Sequence, residues 1–396
     1  MVRRAGALAL VIAASTTACS SSTNAGPQKA AATPVAAVNL SVYPLDGATK
    51  LPPEAPVYVA VANGELASVT LEAAGKPVAG RYSADRSKWR PSRPLLPGTA
   101  YEVTARLLDG TVKTSHFSTV KAKKTFAIQH IVPDKQETGL TVGVGMPIMV
   151  TFDQDVADRV SVERNLIVQA SKPVEGAWHW FDNRNVSFRP KNYWPAYTKV
   201  KFMARLSGVR GADGMYAAKD YAREFKIGRS QISVANTDTH HMRIRRNGKF
   251  IRDVPISAGR GGEWKYYTTN GIHLAMSREP VTIMTSPGIG PGSPGYYQET
   301  VYNTVRISNS GEYVHSAPWS VGSQGNSNVS HGCVNVSPEN ARWFIDNTLI
   351  GDPIIVKGTP RNLEPTNGWG HWQENWKEWL KWSRLRAADT DPLSSK

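Results

Sequence analysis

Lys76-Pro77-Val78-Ala79-Gly80 returns 96 residues later as Lys172-Pro173-Val174-Glu175-Gly176. The echo continues with Trp89-Arg90-Pro91 and Phe188-Arg189-Pro190, then with Ala105-Arg106-Leu107 and Ala204-Arg205-Leu206, each pair 99 residues apart. A repeat of about 100 residues, built of short alternating runs between turns, has the size of an immunoglobulin-like β-sandwich. Tyr101-Glu102-Val103-Thr104-Ala105 alternates cleanly, and Ile148-Met149-Val150-Thr151-Phe152 is a denser apolar version of the same run. The expected fold is therefore mainly β, opening with two tandem immunoglobulin-like sandwiches at 39–125 and 126–228. Neither carries a cluster of catalytic residue types, so they read as spacers that lift something off a surface.

The 396 residues leave room for more than these two units. The 33 glycines and 26 prolines favour turn-rich β structure. Two cysteines are too few for a disulfide framework. A net charge of +15 suits an anionic partner: nucleic acid, acidic lipid or an anionic wall polymer.

The N-terminus selects among those partners. Met1-Val2-Arg3-Arg4 is a short positive start, Ala5–Ala14 is an apolar run too short to span a bilayer, and small residues precede Cys19. That order is a secretory signal peptide over 1–18. Cys19 directly after Ala18 resembles a bacterial lipoprotein cleavage site, although Thr16 stands where an aliphatic residue is usual. Residues 19–38, rich in Ser, Thr, Ala and Pro, then read as the lipid attachment and a flexible tether. An exported, membrane-anchored chain on the cell-wall side meets wall polymer or lipid headgroups, not nucleic acid.

From Arg229 the pattern matches neither repeat. Met242–Arg246 and Lys249–Arg252 flank Asn247-Gly248, a type I′ hairpin signal. Its basic stripe (Arg243, Arg245, Arg246, Lys249, Arg252) fits an anionic polymer or equally a solvated face. The Pro/Gly-dominated stretch 286–297 is incompatible with regular structure and reads as a lid or binding loop. Cys333, the one cysteine beyond the leader and tether, lies in Ser330-His331-Gly332-Cys333-Val334-Asn335. Ser337-Pro338-Glu339 follows as an N-cap, a proline at N1 and an acid in the first turn of a helix. A helix end and a neighbouring imidazole would both favour the thiolate. A thiol nucleophile needs a base, and His315 and His331 are nearest in sequence. His116, His130, His179 and His371 read as structural. His240-His241 lacks any CxxC or HExxH partner, so no metal is expected.

His315, a 14-residue gap, and Ser330-His331-Gly332-Cys333-Val334-Asn335 together resemble the signature of the L,D-transpeptidases, the YkuD-type catalytic domain, over about 229–358. The two sandwiches, the lipoprotein-like start and the Trp-rich end resemble the mycobacterial multi-domain members. The resemblance implies a β-rich catalytic domain that forms 3→3 cross-links between peptidoglycan stem peptides through an acyl-enzyme, with no cofactor. It makes Cys333 the nucleophile and His315 its base, oriented by the Ser316 carbonyl. His331, Gly332 and Asn335 would shape the pocket, Tyr297 would donate to the oxyanion, and Trp319 would line the substrate groove. It also implies acylation by carbapenem β-lactams. The lid departs from the family pattern in its wealth of Pro and Gly.

Residues 359–396 close the chain. Trp369, Trp372, Trp376, Trp379 and Trp382 step by 3, 4, 3 and 3, an aromatic face on one helix. That face is expected to clamp the catalytic unit to the second sandwich rather than lie in a membrane, and 387–396 is expected to be disordered. The protein is expected to be a monomer. The alternatives are a cysteine hydrolase on the same scaffold and a non-catalytic wall-binding lipoprotein. A sortase-like enzyme would need an arginine near the thiol, for which Arg342 is a weak candidate.

Overall fold

A computed structural model describes residues 37–286 and 289–393. Cys19 and the leader lie outside the described residues. The first sandwich packs the sheet Asn39–Tyr43, Tyr58–Ala62, Lys88–Pro91, Gly80–Tyr82 against the sheet Ala48–Leu51, Val112–Thr119, Ala100–Leu107, Leu66–Ala73, Lys76–Pro77. Along Ala100–Leu107 the alternation is direct, with Tyr101, Val103, Ala105 and Leu107 buried among Val59, Leu66 and Trp89.

The second sandwich repeats the arrangement. Its sheets are Ile128–Val132, Ile148–Phe152, Asn185–Pro190, Glu175–Trp180 and Thr141–Val142, Tyr221–Ile227, Lys199–Ala204, Leu166–Ala170. The sequence echo has a steric cause. Gly80 pairs with Pro91 and Gly176 with Pro190, in the same antiparallel register. A β carbon on Gly80 would stand 2.0 Å from the Trp89 ring, and one on Gly176 would stand 2.1 Å from the Phe188 ring. In each copy only glycine leaves the core aromatic its place.

The third unit has two sheets: Lys249–Pro255, His241–Arg246, Gln231–Asn236, Pro353–Lys357, Gly271–Leu274, and Ser277–Thr285, Gln298–Arg306, Tyr313–Ser316, Val334–Val336. Asn247 (φ 49°) and Gly248 (φ 80°) form the expected turn with both central residues left-handed. The basic stripe is divided. Arg246 reaches Gln231 and Asn347, and Arg252 reaches Asn340, with both guanidiniums beside the Trp343 ring of the helix Pro338–Asn347. Arg243, Arg245 and Lys249 stay exposed or at the edge. Arg229, at the junction with the second sandwich, forms an ion pair with buried Asp352 at 2.6 Å.

The C-terminal segment departs from the expected continuous helix. Only Trp376–Lys381 is helical, started by Asn375, whose side chain accepts from the Glu378 N–H. Gly368 takes φ 84°, and Trp372 Nε1 donates to the Gly145 carbonyl, so the stretch before it follows the sandwich surface as turns. The aromatic face does pack on the second sandwich. The guanidinium of Arg189, from the repeated Phe188-Arg189-Pro190, lies 4.6, 5.3 and 4.5 Å from the ring centres of Trp372, Trp376 and Trp379. Trp379 is fully buried and donates to the Ala177 carbonyl, whereas Trp382 is half exposed. The expected disorder is also corrected over 387–393, and 394–396 lie outside the described residues. Ala388–Asp389 pairs with Glu175–Trp180, and Asp391–Pro392 pairs with Leu166–Ala170, so the tail adds an edge strand to each sheet. The open sheet edges supply backbone partners that no periodicity in the tail announces.

Candidate active site

The strand Tyr313–Ser316 runs parallel to Val334–Val336, with His315 opposite Asn335. Side chains alternate across a strand, so Cys333, two residues before Asn335, shares the face that carries His315. Thiol and imidazole are diagonal neighbours on adjacent strands, with backbones about 8 Å apart. The tight approach to Cys333 is set by Gly332, at φ 133°, and by Ser330. The Ser330 hydroxyl donates to the Cys333 carbonyl at 2.6 Å and accepts from the Gly332 N–H at 3.1 Å.

Three residues of strand separate Cys333 from the helix that Ser337 caps. The thiol is therefore not at a helix N-terminus, which corrects the expected electrostatics. Surrounding protein pushes the Cys333 thiol up to about 12, with Glu312 and Glu299 adding to the shift and the Tyr313 backbone N–H opposing it. Its Sγ lies 3.7 Å from the Gly311 carbonyl. His315 is buried, and burial lowers its pKa against hydrogen bonds to the Ser316 carbonyl and the Asn335 side chain. Its Nδ1 donates to the Ser316 carbonyl at 2.9 Å, which fixes the tautomer and puts the lone pair on Nε2. Both shifts favour the neutral forms, and among the described residues the thiol's hydrogen-bond partner is the Gly311 carbonyl rather than the imidazole.

A cavity of about 400 Å³ opens on one side of the thiol, with Tyr297, His331, Gly332 and Cys333 in its wall. A larger cavity, about 780 Å³, lies between the two sandwiches and contains none of these residues. Residues 230–356 match the YkuD L,D-transpeptidase catalytic domain, and residues 48–210 match a bacterial Ig domain. L,D-transpeptidase 2 of Mycobacterium tuberculosis (strain CDC 1551 / Oshkosh) is 36% identical over 393 residues, which cover 96% of this chain and 95% of that protein. The chain belongs to the L,D-transpeptidase family. L,D-transpeptidase 5 of Mycobacterium tuberculosis (strain ATCC 25618 / H37Rv) is 35% identical over 373 residues, covering 91% of this chain and 80% of that one. The solved structure of the LD transpeptidase LdtMt1 in complex with imipenem is 37% identical with a TM-score of 0.49, over 58% of this chain and 98% of that one.

In this L,D-transpeptidase the remaining sequence candidates fall on two sides of the thiol. Tyr297 stacks on His331 at 4.9 Å between ring centres, and burial, with the thiol adding to it, pushes its hydroxyl up to about 12. Residues 289–297 of the lid carry no helix or strand, and a hairpin of two nine-residue strands, Ser277–Thr285 and Gln298–Arg306, flanks it. Trp319 stands on the His315 side, 6.1 Å from that ring and 57% exposed. Arg342 pairs with Asp346 on the outer face of its helix, away from the cavity wall.

Sequence reasoning missed the support behind the imidazole. Asn335 Nδ2 donates to Ser320 Oγ at 3.1 Å, and Gln324 Nε2 donates to the same oxygen and to the Ala317 carbonyl, all buried. Ser320 and Gln324 are ordinary polar residues inside the 14-residue gap, and no spacing marks them. Glu312 was missed too. Its buried carboxylate accepts from the Thr269 N–H and hydroxyl at 2.6 and 2.7 Å and holds the loop facing the thiol. The other histidines make local contacts. His240 Nδ1 meets Asn328, His241 lies 3.1 Å from Asp253, and His130 lies 3.5 and 3.3 Å from Asp134 and Glu137.

Proposed function

We propose that Cys333 is the nucleophile and His315 the general base of a peptidoglycan L,D-transpeptidase that makes 3→3 cross-links. The observation that carries this reading is the buried, tautomer-fixed imidazole of His315 on the strand adjacent to the one that Cys333 leads into. Attack of Sγ on the carbonyl before the terminal D-Ala of a donor stem transfers the thiol proton to His315 Nε2. The C–N bond then breaks, and the same proton leaves on the D-Ala amine. The acceptor amine of a second stem attacks the thioester, gives its proton to His315, and restores the thiol as the amide forms. The thioester retains the energy of the broken amide, so the exchange needs no nucleotide.

The Gly332 N–H is already held by Ser330, so the oxyanion is left to the Cys333 N–H and the Tyr297 hydroxyl. A hydroxyl held protonated by burial remains a donor throughout, and one such donor is typically worth about 3–4 kcal/mol in the transition state. Carbapenems would acylate the same thiol, as their strained amide mimics the donor. The signal-like leader and Cys19 support a lipid-anchored enzyme on the outer side of the membrane. The two sandwiches would then hold the site away from the bilayer.

Intact-protein mass spectrometry after incubation with a carbapenem tests the nucleophile. An adduct on the native protein and none on Cys333→Ala is expected. An adduct that survives the substitution would remove Cys333 from this role. Incubation with disaccharide-tetrapeptide should then give cross-linked dimers, and tripeptide alone would mark a carboxypeptidase.

A further inference from the structure

We propose that Arg361 binds a carboxylate of the stem peptide that enters the cavity beside Cys333. The proposal rests on reading that cavity as the substrate site. Arg361 lies outside the part of the chain that matches the catalytic domain, on the segment leading back to the second sandwich, yet it forms part of the same cavity wall as Cys333 and Tyr297.

Its position is built on both sides. The Asn270 N–H donates to the Arg361 carbonyl at 2.5 Å, the Leu363 N–H returns to the Asn270 carbonyl at 2.9 Å, and Asn270 Nδ2 donates to Asn362 Oδ1. Leu363 is buried. Farther along, Asn367 accepts from the Ser310 N–H at 2.9 Å and donates to its hydroxyl at 3.0 Å, tying the segment to the loop that faces the thiol.

The charge helps to lower the pKa of nearby Glu364 but forms no ion pair among the described residues. Lys265, in the same wall, is paired with Glu263 at 3.2 Å, and Arg260 is stacked 3.6 Å over the Tyr266 ring. Both oxygens of Glu312 are taken by Thr269. The carboxylate of nearby Glu364 is held by Asn367. Among the described residues Arg361 has no carboxylate within ion-pair distance, and its Nε is buried without an acceptor. Buried donors are almost always paired, and a guanidinium fork pairs best with a carboxylate. A donor stem carries two such groups near the scissile bond, the side-chain carboxyl of its third residue and the C-terminal carboxylate.

The test measures binding of a synthetic tetrapeptide to the purified chain carrying Cys333→Ala, by calorimetry, with and without Arg361→Gln. The free-acid peptide should bind roughly 10- to 100-fold more weakly to the Arg361→Gln protein, as hydrogen bonds to charged groups imply. Arg361→Lys should recover part of the loss, keeping charge without the fork. Peptides amidated singly at the side-chain or C-terminal carboxyl identify the group held: the amide that cancels the difference between the proteins marks it. Equal binding of the free acid to both proteins would overturn the proposal. So would an equal loss for the acid and the doubly amidated peptide, which marks a change of cavity shape. Binding is read without turnover, so a protein that discriminates acid from amide yet never forms dimers would overturn the transpeptidase reading and leave this one standing.

Discussion

Alkylation of Cys333 across a pH range separates a preformed thiolate from a thiol activated only during reaction. At pH 7.5 a free cysteine, with a pKa of about 8.5, is roughly one-tenth thiolate. A thiol at about 12 is only about three parts in 100,000 thiolate, roughly 3,000-fold less. The more basic thiolate is the better nucleophile, and a Brønsted coefficient of about 0.4–0.5 returns about 25- to 55-fold. Iodoacetamide, which draws no help from His315, should therefore modify Cys333 about a hundredfold more slowly than free cysteine at pH 7.5. The rate should climb tenfold per pH unit with no plateau below pH 10. Acylation by a carbapenem draws on His315, so its rate should stay level down through pH 6.5 and fall only where the lowered imidazole pKa is crossed. Mass spectrometry at timed intervals reads both reactions. An alkylation plateau between pH 5 and 7 would reveal a thiolate–imidazolium pair and refute the neutral-pair reasoning.

Trp379→Ala should destabilise the protein by about 3–5 kcal/mol, as deletion of a buried Trp does, seen as a lower urea midpoint; an unchanged midpoint would mean that the tail is not docked. Burial holds His371 down to about 3 and His179 to about 4, so on acidification the unfolded chain binds protons near pH 6.5 that the native state refuses. Stability should therefore fall between pH 7 and pH 5 by about 2 kcal/mol for each histidine, and His371→Asn should remove its share from the pH dependence of urea unfolding. Ser320→Ala takes away the acceptor of Asn335 and should lower kcat roughly 10- to 100-fold with KM little changed, with a shifted pH profile as the mark of a loosened imidazole; a rise in KM alone would place Ser320 in binding instead.

What the sequence revealed follows the range of its signals. The repeat was legible because Gly80 and Gly176 each answer to one aromatic ring diagonally across a strand pair. Asn247-Gly248 was legible because two consecutive left-handed residues admit few other types. Cys333 and His315 were found as a pattern, and adjacent parallel strands bring them to one face. The thiol's environment was not legible, because the shift comes from burial first, with Glu312 and Glu299 adding to it, rather than from the helix after Ser337. Nor was the tail, whose 3–4 spacing of Trp fits a helix as well as it fits turns gathered around Arg189. Residues 388–392 lack any strand signal of their own, and the edges they cover belong to strands more than 200 residues earlier.

Those last few residues also bear on when the molecule can fold. Val174 donates its N–H to the Thr390 hydroxyl across 216 positions, and the Ala177 carbonyl waits for Trp379 across 202. The second sandwich thus has its sheets finished only by the end of a chain that must first pass through the whole catalytic unit. As the polypeptide emerges, the edges at Glu175–Trp180 and Leu166–Ala170 stand open, and pairings so distant in sequence form slowly. A chain cut short after the catalytic unit would keep every residue of the active site and still present two uncovered sheet edges to its neighbours. Chains that carry 388–392 should therefore differ from chains that lack this segment in their tendency to aggregate.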